Sequence, residues 1–155
     1  MFLWFAACAV LGAWSVLRDA NFDYRLIALG ALAPDVIDAS VGHRALAHTL
    51  AFAVGALVAV MLATISRRPL RKHLLALPIG LLAHLVLDAV WVDKTLFWWP
   101  GFGDWGATRL LPAAPLVALR ELAGVVVAVV VVRRFGLADP ALRRQFWRTG
   151  RLTPC

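Results

Sequence analysis

Residues 29–50, LGALAPDVIDASVGHRALAHTL, place Asp35, Asp38, His43, Arg44 and His48 between runs of hydrocarbon-like side chains. Ionisable groups are costly in or beside a bilayer. Where they occur they mark a pathway, a ligand cluster or a required ion pair, and they face protein rather than lipid. A second cluster, His84 and Asp88, sits inside another apolar run. The expected fold is all-α: a polytopic bundle of membrane helices in which the two clusters meet.

Composition decides between a membrane protein and a soluble globule. The hydrophobic fraction is 62%, against about 45–50% in soluble domains, and the mean hydropathy is +0.79. The net charge of +7 is concentrated in two places. Arg67, Arg68, Arg71 and Lys72 crowd one short connection, and the segment from Arg133 onward carries six arginines against one aspartate, Asp139. That distribution is expected of flanks held on the cytoplasmic side, and it argues against a nucleic-acid partner. Cys8 lies in the first apolar run and Cys155 is the last residue, which argues against a structural disulfide. The apolar N-terminal run has no basic n-region and no clear small-residue cleavage site, so a retained membrane helix is expected.

The hydropathy pattern predicts about four spanning helices and one shorter helix. Phe2–Leu17 is apolar and carries Trp4 and Trp14, a little short of the roughly 20 residues that cross a bilayer. In residues 26–41, Pro34 disfavours helical geometry at Ala33 and removes a backbone donor. A short, broken or re-entrant helix shielded from lipid is expected there. Residues 45–66, 74–92 and 116–132 are the further spans, with 67–73 a tight basic connection. Residues 93–115 form a loop whose Trp98, Trp99 and Trp105, with Trp91, suit an interfacial aromatic belt. Residues 1–132 are thus the transmembrane domain and 133–155 a basic cytoplasmic tail. In that tail DPALRRQFWRTG, 139–150, predicts a short helix lying at an anionic membrane surface. With both basic stretches inside, the C-terminus is cytoplasmic. His43, His48, Asp88 and Arg120–Glu121 then come to the outer side at similar depth.

His84 and Asp88, four apart on a helix, share a face and form a natural two-ligand half-site. Asp35 and Asp38 converge if their segment is helical. His43 and His48, five apart, diverge on one helix, which puts His43 in the turn before it and His48 in its first turns. Asp35, Asp38, His43, His48, His84 and Asp88 are the candidate metal ligands. This N/O set suits zinc, or manganese or iron, and the lack of Cys argues against a zinc–thiolate site. Six ligands suffice for a dinuclear site that clamps a phosphoester or activates water. Arg44 is a candidate for holding an anionic substrate group, and Asp38 or Glu121 for the general base. The same residues admit structural readings: His84–Asp88 as a hydrogen-bonded pair between helices, Asp35 and Asp38 as helix caps, and Arg44 as an ion-pair partner of Asp38 or Glu121.

These residues resemble a family of small bacterial inner-membrane proteins called YdjM-like, or LexA-binding, metal-dependent hydrolases. Members carry a Pro-Asp-x-Asp stretch, an HRGxTHS-like stretch, a His-x-x-x-Asp on a membrane helix, and a Trp-Pro about a dozen residues later. Here these read APDVID (Pro34, Asp35, Asp38), GHRALAHTL (His43, Arg44, His48, Thr49), HLVLD (His84, Asp88) and WWP (Trp98, Trp99, Pro100), across residues 29–103. The chain departs from the pattern in three places. Asp38 follows Asp35 by three residues rather than two, Ala45 and Ala47 replace the Gly and Thr, and no His precedes His43. The resemblance implies a bacterial inner-membrane, multi-pass, metal-dependent hydrolase. The His-x-x-x-Asp pair is also similar to zinc-dependent phospholipase C and related nucleases, an analogy that favours phosphoesters. Two functions from different classes follow. One is a hydrolase of an ester or phosphoester, its partner a membrane lipid or lipid-linked substrate at the outer side. The other is a non-catalytic membrane subunit or adaptor whose polar cluster fixes helix packing while the Trp loop or Arg tail docks a membrane protein partner.

Overall fold

An apolar segment in lipid has only its own backbone to satisfy its N–H and C=O groups, and a helix does so completely. The computed structural model describes residues 1–102, the backbone of 108–109, and 112–153. In it the apolar runs form α1 (Phe2–Leu17), α2 (Tyr24–Asp38), α3 (Leu50–Ala63), α5 (Ala76–Leu87) and α7 (Ala114–Arg134). Short helices α4 (Arg68–Leu74) and α6 (Lys94–Phe97) and the terminal α8 (Pro140–Thr149) complete the set. Two-residue strands β1 (His43–Arg44) and β2 (Thr108–Arg109) pair antiparallel, His43 opposite Arg109 and Arg44 opposite Thr108. The fold is otherwise all-helical.

Among the described residues two helices are long and apolar enough to cross a membrane: α7, and the continuous unit Arg68–Leu87 made by α4 and α5. The apolar α1 and α3 have 16 and 14 residues, about 24 and 21 Å of helix, against a hydrocarbon core of about 30 Å.

Helix α2 packs most extensively on α5, and α1 on α7. Glycines set both contacts. A Cβ on Gly30 would stand 2.2 Å from the Leu77 carbonyl oxygen, one on Gly80 2.2 Å from that of Ile27, and one on Gly124 2.4 Å from the Trp4 nitrogen. Backbones touch at these points, as small residues permit between membrane helices. Phe5, Tyr24, Ile27 and Phe135 fill the core these helices share, while Ala53, Leu81, Leu85 and Leu96 form a second cluster beneath α3 and α6.

Four local differences from the sequence-based expectation have physical causes. First, α2 runs unbroken through Pro34. Its close seat against α5 supplies the packing that offsets the missing hydrogen bond, as neighbouring helices do for prolines in membranes. Second, α3 begins at Leu50 rather than near Ala45, because the Thr49 hydroxyl caps it by accepting from Phe52 N at 3.1 Å. His48 therefore lies before α3, in a 3-10 turn over Leu46–His48. Third, the basic connection is itself helical. Pro69 in the first turn of α4 loses nothing by lacking an N–H there, and Arg71 Nη2 donates to the end carbonyls of Thr64 and Ile65, each at 2.9 Å. Fourth, the Trp-bearing loop contains α6, capped by Asp93, whose Oδ1 accepts from Thr95 N at 3.2 Å. Of its tryptophans, Trp105 lies outside the described residues.

The predicted terminal helix forms as α8. Asp139 accepts from Ala141 N at 2.7 Å at its start, and Gly150 ends it at φ 71°. It docks on the N-terminus of α2 through Tyr24 N to Gly150 O at 2.9 Å. The ends of the bundle thus differ in character. At one end, Lys72 Nζ pairs with Asp19 at 2.6 Å, Arg134 lies 4.5 Å from the Trp14 ring centre, and α8 adds Arg143, Arg144 and Arg148. Hydrogen bonding to Lys72 holds the Asp19 carboxyl below its ordinary range. At the other end lie the C-termini of α2 and α5, the N-termini of α1 and α7, and every candidate site residue.

Candidate metal centre

The site is built where α2 and α5 end. The His48 Nδ1 lies 2.7 Å from Asp38 Oδ2 and the His84 Nδ1 lies 2.7 Å from the Ala31 carbonyl oxygen. An ionised carboxylate and a carbonyl can only accept, so each Nδ1 carries a proton, and in the neutral ring each Nε2 presents a lone pair. Those two Nε2 atoms face each other at 3.3 Å. Asp35 Oδ1 completes a triangle, 3.5 Å from His48 Nε2 and 3.7 Å from His84 Nε2. Both rings are fully buried and Asp35 is 9% exposed. The Phe5 ring of α1 covers His84 at a centroid distance of 4.1 Å.

With both rings neutral, three electron-rich atoms converge in a buried site, where a proton or a metal ion between them relieves their repulsion. The spacing is that of a metal's coordination sphere. Ligands about 2.0–2.1 Å from a tetrahedral zinc stand about 3.3 Å apart, and two His plus one carboxylate leave a fourth position open, as catalytic zinc sites do. The backing of each ring by Asp38 or by Ala31 is the outer-shell arrangement that fixes metal-binding histidines. Asp35, His48 and His84 therefore fit a metal ion.

The other sequence-predicted residues are placed differently. Asp38 stands behind His48, and its Oδ2 also accepts from Ala45 N at 2.6 Å, anchoring the segment that carries Arg44 and His48. Asp88, though on the same helix end as His84, receives Arg120 Nη1 on Oδ1 at 2.9 Å and Arg44 Nη2 on Oδ2. Arg44 thus pairs with Asp88, and not with Asp38 or Glu121. His43 lies in β1 with Nδ1 2.8 Å from the Val41 carbonyl, apart from the three converging groups. Glu121 lies 3.4 Å from the Met1 amino group and 3.4 Å from Leu3 N, at the start of α1. Sequence reasoning missed two participants. The Ala31 carbonyl carries no side-chain signal. Arg120 reaches Asp88 from α7, a contact to which nothing in its spacing points.

No curated protein and no solved structure matches the chain. A family model described as YdjM inner membrane protein matches residues 2–142, well beyond the 29–103 stretch that holds the motifs and reaching from α1 into α8. The chain therefore belongs to the YdjM inner membrane protein family.

Proposed function

We propose that the protein is a membrane-bound, metal-dependent hydrolase of an ester or phosphoester carried by a membrane lipid or lipid-linked substrate. One observation carries the reading: two histidine Nε2 atoms and a carboxylate oxygen converge within 3.7 Å of one another in a buried site. Zinc is the ion this donor set favours, and when bound it supplies a Lewis acid and a water activated near neutral pH. Asp38 holds the His48 ring and its tautomer, and the Ala31 carbonyl does the same for His84. Phe5 covers the His84 ring, and Asp35 is the least buried of the three. Asp38 acts through His48, since its Oδ2 already serves that ring and an amide.

The reading includes an orientation. Both basic clusters lie at one end of the bundle, which the positive-inside rule assigns to the cytoplasm. The metal centre then opens to the outer side and the C-terminus is cytoplasmic. Helices α1, α3, α4–α5 and α7 are four spans, and α2 carries the chain back from the basic end to the site end between α1 and α3.

Purified protein loaded with zinc in neutral detergent should hydrolyse at least one of p-nitrophenyl acetate, p-nitrophenyl phosphate, bis(p-nitrophenyl) phosphate or mixed phospholipid vesicles. Chelation and the His48→Ala/His84→Ala double variant should each abolish that turnover. No turnover of any of these, or turnover untouched by both treatments, would overturn the proposal. In that case the adaptor reading, with its polar cluster purely structural, stands.

A further inference from the structure

Asp88 is a buried carboxylate shared by two arginines from distant parts of the chain. Its side chain is 1% exposed, and those of Arg44 and Arg120 are 16% and 19% exposed. Two guanidiniums share this one carboxylate, and the Asp93 carboxylate also feels Arg44 through space. Glu121, one residue along, instead faces the Met1 amine and Leu3 N. The Arg44 Nε is buried and has no hydrogen-bond partner among the described residues. A guanidinium has five N–H donors. Arg44 uses one on Asp88, and Arg120 directs Nη1 to Asp88 and, at 3.6 Å, to Met1 Sδ. Donors in planar forks, in excess of the acceptors they meet among the described residues, are what a group with several acceptor oxygens requires.

The cluster adjoins the metal centre along the chain on two sides. Asp88 lies one helical turn, about 6 Å, past His84. Arg44 immediately precedes Ala45, whose N–H is held by the same Asp38 that backs His48.

We propose that Arg44 and Arg120, oriented by Asp88, bind the phosphate group of the substrate, so that the protein acts on phosphoesters rather than carboxylic esters. The substrate class rests on the hydrolase reading; the anion site does not. Asp88 is then a positioning residue, and Arg120 is a substrate-binding residue that spacing in the sequence did not reveal. The same phosphate chemistry is offered by a lipid headgroup or by a free phosphate, and the test separates them.

The test is binding by metal-stripped protein in a neutral detergent, probed with dioleoyl phosphatidic acid, dioleoylglycerol and inorganic phosphate. Phosphatidic acid should bind about tenfold or more tightly than dioleoylglycerol, and Arg44→Gln or Arg120→Gln should remove that preference. Arg120→Lys, which keeps the charge but loses the fork, serves as the second variant if the Gln forms do not fold, and it should weaken phosphatidic acid while sparing dioleoylglycerol. Displacement of phosphatidic acid by inorganic phosphate supports a site that takes the free anion. Lack of displacement, with the arginine dependence intact, supports a lipid-borne phosphate. Equal affinity for phosphatidic acid and dioleoylglycerol, or a preference untouched by every arginine variant, overturns the proposal. Arginine-dependent binding without any turnover would remove the hydrolase reading and leave the anion site. Phosphoester turnover with an unchanged KM in the arginine variants would do the reverse.

Discussion

Single residues are placed in contacts that spacing alone does not assign. Asp38 is a test of the distinction between ligand and backing group. In Asp38→Asn the His48 ring keeps its place but loses a charged acceptor, and metal affinity should fall about 10- to 100-fold, as for other outer-shell partners. Titration against a chelator of known affinity measures it. Asp88→Asn should behave in the opposite way. It leaves Arg44 and Arg120 facing one another across a neutral amide, which costs up to about 3–5 kcal/mol when a buried pair is broken. The melting temperature should drop while metal content stays at the wild-type level; loss of the metal would instead make Asp88 a ligand. The sequence made Asp35, His48 and His84 legible because ionisable groups stand out against apolar runs. It did not separate them from Asp88, because a shared helix face says nothing of partners 44 and 32 residues away. The Ala31 carbonyl was out of reach for a simpler reason: every residue has one.

Among the elements, the contact between α2 and α5 sets the site. Gly30 and Gly80 let those backbones touch, and Ala31, whose carbonyl holds His84, is the next residue along. In Gly80→Ala the new Cβ would meet Ile27 O at 2.2 Å and Ala31 N at 2.8 Å, so the helices must part. Overpacking of this kind costs about 1–3 kcal/mol, and here it should also lower metal occupancy, read by thermal melting and metal analysis on the same sample. Gly12 and Gly55 have open space where a Cβ would go. Gly12→Ala and Gly55→Ala should therefore be neutral or stabilising by up to about 1 kcal/mol. The helices themselves were legible as apolar runs. The late start of α3 and the helical basic connection were not, because a Thr49 cap and an Arg71 side chain folded onto the end of α3 fix those boundaries through contacts that hydropathy does not register.

At the scale of the whole molecule, one end is basic and the other holds the site, and the proposed orientation follows from that polarity. In a variant with Cys8 and Cys155 changed to Ser, a membrane-impermeant thiol reagent added to intact cells should label Lys94→Cys and not Lys72→Cys; the reverse pattern would put the site in the cytoplasm. This polarity was legible from charge placement, whereas the meeting of the two clusters at one point required the helices to be seen together. The claim on which the functional account depends is that the buried triangle of Asp35, His48 and His84 holds a metal ion. Elemental analysis of protein purified without chelator tests it directly. The account predicts one transition-metal ion per chain, zinc foremost, lost in His48→Ala and in His84→Ala. Well-folded wild-type protein with no stoichiometric transition metal would contradict it.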